Sequence, residues 1–575
     1  MNKRKYKGVF YPARHISDLR DLVKSSAALY REKPVYLVKD VPGGPYRPIT
    51  YNQFSDDVDA LGTALIDMGL KDEKIAILGE NSYEWVLVYC AVTNGTGVVV
   101  PIDKELSSHE IKNLLARSGT STAFHSAKTE GLLRESAEGV ETLKRIIAKT
   151  ELPGLLAKGR ELLAGGDRRF LDAEIDKDAL CSLLFTSGTT GHAKGVMLSH
   201  ENIANNVINI SRHVTFTNGI GLSVLPMHHT YEMTCHILLA MYMGVGVAMC
   251  EGLKHVAKNM IEAKVSVLVG VPLLFESMHK KMWKKAEASG KADKLRKAIA
   301  LSQKFKLYNY PKIVKRIFKD IHAATGGNIQ AFITGGAAID PNVVRDFEAM
   351  GLPTIQGYGM TENSPLISGN TDRFSKADSV GVVMYGNEVK IDDPDEKGMG
   401  EILCRGPSVM LGYFNDPEET AKVIRDGWLH TGDYGYFDSD DVLYISGRKK
   451  NVIVTKNGKN IFPEEVEYYL TQSDYILEAL VIGIDDEKSG DIVVKAVVHP
   501  DFETIAQEKG DLPVRELREL LKTEIDAANE LMPLYKRVKR FDIRKTEFHK
   551  TTTRKIKRYT PENYGEQLLE EENPC

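Results

Sequence analysis

The stretch Phe185-Thr-Ser-Gly-Thr-Thr-Gly-His-Ala-Lys-Gly195 sets three glycines, four hydroxyl side chains and a lysine between two short apolar runs, 180–185 and 196–198. Both runs read as strands, so the chain must build a strand–loop–strand unit here. A glycine-rich loop held between strands turns its backbone N–H groups into one concavity, where an anion can sit. Thr186, Ser187, Thr189 and Thr190 add hydroxyl donors, Gly188 and Gly191 keep the backbone open, and Lys194 adds a compact positive charge. The pattern is not the Walker loop, which needs Gly-Lys followed at once by Ser or Thr and then a helix. Taken alone, the same composition would also suit a flexible surface loop.

At 575 residues, with 42% hydrophobic and 27% charged side chains, the chain is long enough for two or more domains. Its net charge of −4 implies no global binding of a polyanion such as nucleic acid. The six cysteines have neither metal-ligand nor disulfide-framework spacing, which fits a reduced cytoplasm. The most apolar run, 235–250, is shorter than the ~20 residues of a spanning helix, so a soluble protein is expected.

Along the chain, residues 34–51 read as a hairpin around a Pro-Gly-Gly-Pro turn, and a helix follows over 51–68, stopped by Gly69. Strand 74–78, helix 85–92 and strand 97–101 make a βαβ rhythm and imply a largely parallel sheet. Residues 127–172 read as charged helical surface. Ser199 is the expected cap of the helix after the phosphate loop. Beyond position 450 a compact α+β unit is expected, with a helix over 464–470, strands 476–484 and 491–498, and a helix over 514–529.

Four further motifs bear on chemistry. Leu225-Pro-Met-His-His229 puts a histidine pair after a strand, more often structural than catalytic. Ile333-Thr-Gly-Gly-Ala-Ala-Ile339 is a small-residue turn against which a flat ligand could lie; a plain strand-to-helix turn capped near Asp340 explains it as well. Gln356-Gly-Tyr-Gly-Met-Thr-Glu362 offers Tyr358 for stacking on a purine, Thr361 as a hydroxyl donor and Glu362 as a hard carboxylate for Mg²⁺. Trp428-Leu-His-Thr-Gly-Asp433 and Ser446-Gly-Arg-Lys-Lys450 supply Asp433 and Arg448, suited to ribose and phosphate, or to a surface ion pair. Between 278 and 319, fourteen Lys and Arg stand against two acids, with aromatics interleaved. That stretch reads either as a solvated helical face or as a patch for an anionic membrane surface.

In order and spacing, from about residue 34 to 558, these motifs resemble the adenylate-forming (AMP-binding) superfamily, and the basic insertion resembles its long-chain fatty acyl-CoA synthetase branch. The resemblance implies an α/β fold: a large multi-subdomain N-terminal domain with mainly parallel sheets (1–447), a hinge (448–450) and a small mobile α+β C-terminal domain (451–575). It implies ATP-dependent ligation of a fatty acid to coenzyme A through an acyl-adenylate, with Mg²⁺ as cofactor and AMP and pyrophosphate as products. Residues 186–191 and Lys194 would then hold the phosphates, and Gly336, Ala337, Ala338 and Tyr358 the adenine. Asp433 would hold the ribose, Arg448 the ribose or a phosphate, and Glu362 the metal. Thr361 would touch the α-phosphate, and His229 would lie beside the substrate carboxylate. Lys450 falls at the hinge and Gly458 on the coenzyme A path. Phe548-His-Lys-Thr-Thr-Thr-Arg-Lys555-Ile matches the family's closing pattern and gives Lys555 the catalytic lysine's role, although Arg554 stands where Gly is common. The expected location is cytoplasmic, with peripheral contact at the inner face of the membrane through 278–319. A carrier-protein acceptor or another carboxylic acid is the alternative; a P-loop kinase or an inactive acyl-binding protein fits the residues less well.

Overall fold

A computed structural model describes residues 10–186, 193–216, 218–455, 459–485, 492–551, 556–558, 560–565 and 567–569. The chain divides into two compact units: Met1–Val389 with Cys404–Leu429 and Asp438–Leu443, and Lys390–Leu403 with His430–Phe437 and Tyr444–Cys575.

The first unit holds two large sheets with helices packed on them. The nine-stranded sheet runs Val382–Val383, Leu366–Gly369, Thr354–Gly359, Ala331–Gly335, Val267–Gly270, Ile220–Ser223, Gly246–Met249, Pro34–Val38, Arg47–Thr50. Its five central pairings are parallel, and the antiparallel ones lie toward the ends. The seven-stranded sheet runs Gly412–Tyr413, Lys194–Ser199, Leu180–Thr186, Gly97–Ile102, Glu73–Leu78, Thr122–His125, Arg145–Ala148. Four of its pairings are parallel; the Leu180–Thr186/Lys194–Ser199 hairpin is antiparallel. Such sheets bury both faces, which explains near-continuous runs such as the fully buried Ile75, Ala76, Ile77 and Leu78.

The helix Tyr51–Asp67 illustrates how sequence sets these elements. Thr50 caps it by accepting from the Gln53 N–H, Phe54, Val58, Leu61 and Leu65 bury one stripe, and Gly69 at φ +80° ends it. Gly62 on this helix is required by what lies against it: a Cβ there would come within 2.1 Å of the Phe170 ring. Phe170 is 1% exposed, and Arg145–Ala148 is a strand parallel to Thr122–His125. Residues 127–172 are therefore not merely charged helical surface: they complete a sheet edge and plug a core. The helices Glu130–Ala137 and Leu152–Ala164 follow the expectation, whereas a four-residue strand and one buried aromatic carry little periodic signal.

In the second unit, Ile476–Asp485, Ile492–Pro500 and Val538–Ile543 form a three-stranded sheet. The helices Pro463–Leu470 and Val514–Glu530 cover it through Val466, Leu470, Leu517, Leu521 and Ile525.

Candidate functional site

The phosphate-loop motif hangs from a strand pair. Thr186 and Lys194 face each other as the last paired positions of the hairpin. Ser187, Gly188, Thr189, Thr190 and Gly191 lie outside the described residues. Lys194 forms an ion pair with Glu419, and its ammonium sits 5.0 Å from the centre of the Tyr413 ring. Tyr413 reaches this position because Gly412–Tyr413 pairs antiparallel with the second strand of the hairpin, at Met197 and Val196. Its hydroxyl donates to Glu362 Oε1 at 2.9 Å. Burial, and then the neighbouring Glu362 carboxylate, push the Tyr413 hydroxyl well above its ordinary range, so it stays a donor at neutral pH. Hydrogen bonds from Lys194 and then Lys422 hold the Glu419 carboxyl below its ordinary value. The geometry thus joins two residues singled out from sequence, Lys194 and Glu362, through one that was not, Tyr413, and gives Lys194 a further unforeseen partner in Glu419.

A helix fixes the relative position of these segments. In His200–Ser211, Ser199 caps by accepting from the Asn202 N–H, as the sequence predicts. The Asn202 amide donates to the carbonyls of Pro407 and Val409. One turn on, Asn206 donates to the carbonyls of Asn363 and Leu366 and accepts from the Leu366 N–H. The Met410 N–H donates to the Glu362 carbonyl at 2.9 Å. Asparagines at i and i+4 face the same way, so one helix face holds both the Glu362 turn and the approach to Tyr413. Asn repeated every four residues on a buried helix is a signal that sequence reading could have used.

The residues expected on the adenine side lie near the ends of parallel strands. Ala331–Gly335 and Thr354–Gly359 pair in parallel, with Gly335 opposite Gly357. The exposed turn Gly336, Ala337, Ala338 therefore follows the carboxyl end of one strand, and the largely buried Tyr358 lies at the last-but-one position of its neighbour, where open α/β sheets bind ligands. Asp340 caps the next helix by accepting from the Asn342 N–H. Tyr231 closes on this edge, donating to the carbonyls of Gly270 and Ile333, each at 3.3 Å. His229 Nδ1 accepts from the Tyr231 N–H at 3.1 Å, so the imidazole is held by the turn it caps. Asn81 ties the two sheets, donating to Ser223 Oγ and the Leu225 carbonyl and accepting from the Met227 N–H.

Within the second unit, Asp433 and Arg448 form an ion pair at 2.7 Å, Asp433 being 5% exposed. Lys449 pairs with the buried Glu401 at 2.8 Å, and Lys450 is exposed in the turn Lys449–Asn451. Gly458 and Lys555 lie outside the described residues, whereas the residues flanking the segment that carries Lys555 are held together by backbone pairing. Lys550 and Ile556 form an antiparallel bridge, and the Lys557 N–H donates to the His549 carbonyl at 2.8 Å. Asn563, fully buried, accepts from the His549 N–H and donates to the carbonyls of His549 and Lys557. Lys550 pairs with Glu478 and Arg558 with Glu467.

The backbone is similar to that of an anthranilate CoA ligase in complex with anthranoyl-AMP, at 21% identity and TM-score 0.74 over 96% of each chain. The fold is that of the adenylate-forming enzymes. Residues 23–414 match the AMP-binding enzyme family and residues 450–567 the AMP-binding enzyme C-terminal domain, so the chain belongs to the AMP-binding enzyme family. Among curated proteins it is 28% identical to fatty acyl-CoA synthetase B of Dictyostelium discoideum, over 88% of this chain and 81% of that one. It is also 28% identical to the chloroplastic long-chain-fatty-acid–[acyl-carrier-protein] ligase AEE15 of Arabidopsis thaliana, over 87% and 79%.

Proposed function

We propose that the protein ligates a long-chain fatty acid to coenzyme A through an acyl-adenylate, releasing AMP and pyrophosphate. The observation that carries this reading is the meeting of Lys194 and Glu362 across Tyr413, within a family-matched chain. A carboxylate attacking the α-phosphorus of ATP brings two anions together, so the protein must position them and neutralise charge where it develops. Lys194 and the 186–191 loop take the β- and γ-phosphates. Thr361 donates to the α-phosphate, and Tyr358 with the 336–338 turn receives the adenine. His229 lies beside the substrate carboxylate. Asp433 and Arg448 receive the ribose, and Lys555 holds the attacking carboxylate against the α-phosphate.

Glu362 fits Mg²⁺, because Tyr413 engages only its Oε1 and the carboxylate is a hard, half-buried oxygen donor. When bound there, Mg²⁺ supplies charge neutralisation at the phosphate oxygens. Residues 448–450 act as the hinge, and Gly458 borders the path of the coenzyme A thiol, which attacks the adenylate's carbonyl carbon and expels AMP.

The protein contacts an anionic membrane surface through 278–319. Support comes from side chains the basic count does not include: Leu301 and Phe305, one turn apart, and Ile313 and Ile317, one turn apart, are each 46% exposed or more. Lysine with exposed apolar and aromatic side chains suits an interfacial helix. Among the described residues no helix is long and apolar enough to cross a membrane.

The test is product analysis with ATP, Mg²⁺ and fatty acids of graded length. AMP, pyrophosphate and acyl-CoA are expected together, with the highest turnover for long chains. ADP as the main nucleotide product overturns the reading, and acyl transfer to a carrier protein but not to coenzyme A assigns the acceptor named in the Arabidopsis relative instead.

A further inference from the structure

Glu419 belongs to none of the roles above, yet it holds the lysine that binds phosphate. Its carboxylate pairs with Lys194 and, through its other oxygen, with Lys422 at 3.0 Å. The Lys194 and Glu419 side chains are 20% and 22% exposed, whereas Lys422 is 68% exposed. The Glu419 backbone is itself fixed, since its N–H donates to Asp416 Oδ1 at 3.0 Å and the next residue, Thr420, takes the Tyr413 N–H at 2.8 Å.

We propose that Glu419 is an internal counter-anion that competes with polyphosphate for Lys194, while Tyr413 is a positioning residue that keeps Lys194 and Glu362 a fixed distance apart. The proposal rests on the reading of Lys194 and Glu362 given above. Stripping a partner from a partly buried charge is costly unless another partner takes over. Lys422 is that second partner. When a polyphosphate draws Lys194 away, the Glu419 carboxylate keeps one ammonium and Lys194 gains another anion, so neither charge is left alone. Glu419 therefore lowers affinity for pyrophosphate, and so favours its departure after adenylate formation. Tyr413 touches Lys194 and Glu362 alike: its ring faces the ammonium and its hydroxyl holds the Glu362 carboxylate.

The experiment is calorimetric titration of the full-length protein with pyrophosphate in Mg²⁺, for the wild type, Glu419→Gln, Lys194→Met and the double variant. Glu419→Gln should bind pyrophosphate about tenfold tighter, equivalent to about 1.4 kcal/mol. Lys194→Met should bind it more weakly, and adding Glu419→Gln to Lys194→Met should change nothing. Tightening that persists without Lys194 overturns the competition, as does a Glu419→Gln variant that binds no tighter than wild type. If Lys194→Met binds as tightly as wild type, the assignment of Lys194 itself fails, a result separate from either of those. Tyr413→Phe keeps the ring and loses the hydroxyl, so it should raise the Mg²⁺ concentration needed for half-maximal pyrophosphate binding. An unchanged Mg²⁺ requirement removes the positioning role.

Discussion

Asn563, fully buried, lies outside every motif read near the chain's end yet braces one of them. Its three hydrogen bonds clamp His549 to Lys557 across the base of the segment leading to Lys555. Replacing it with Leu leaves buried backbone groups unpaired, at about 1–3 kcal/mol for each group. Asn563→Leu should therefore slow acyl-adenylate formation several-fold while leaving transfer from a supplied acyl-adenylate to coenzyme A close to wild type. Single-turnover measurement of each half-reaction checks this, and equal slowing of both would mean general unfolding of the second unit instead. Glu362 invites a sharper substitution. Glu362→Gln keeps an oxygen for the Tyr413 hydroxyl but loses the charge, so adenylate formation should fall by about 10²–10³. Excess Mg²⁺ should recover part of that loss if the side chain serves the metal, and none if it serves only the fold.

Helices and strands were legible in proportion to their length and periodicity. The long helix after Thr50, the strands of the βαβ unit and the helix Val514–Glu530 stand within one or two residues of where pattern and capping put them. Val538–Ile543 is absent from the expected elements, because its two buried residues stand among flanking charges. Motifs read from adjacent residues gave Glu362 and Lys194. Tyr413, Glu419 and the Asn202/Asn206 brace were not legible, because their partners lie 51 to 225 positions away along the chain. The basic insertion makes its own test. It folds as the helices Pro272–Ala288, Ala292–Phe305, Pro311–Ile317 and Lys319–Ala324. Reversing Lys280, Lys281, Lys284 and Lys285 to Glu should weaken cosedimentation with anionic liposomes, each lysine contributing about 1 kcal/mol before screening by salt. Turnover of a detergent-solubilised acid should not change. Equal sedimentation of variant and wild type would leave the insertion as a solvated face.

For the whole molecule, the proposed division of labour places Lys555 and Gly458 in one unit but in different half-reactions. Lys555→Ala should slow adenylation by a few kcal/mol of barrier, as expected for loss of a charged contact to an anionic transition state, and spare transfer to coenzyme A. Gly458→Leu should do the opposite, and Lys450→Pro should resemble it by stiffening the hinge. Rapid-quench kinetics of the two steps separates them; slowing of both by the same factor in Lys555→Ala and Gly458→Leu would discard domain alternation. The strand order has a different consequence, one for synthesis. Pro34–Val38 is among the first strands made, yet it pairs in parallel with Gly246–Met249, Tyr36 opposite Val247. Roughly 200 residues must follow before that partner exists, and at ~5–20 residues per second a ribosome needs ~10–40 s to make them. Throughout that interval Val35 and Tyr36, fully buried in the finished protein, lack their parallel partner strand and have only early-made neighbours such as Phe54 and Tyr83 for shelter, so the newborn N-terminal half is a natural client for a chaperone.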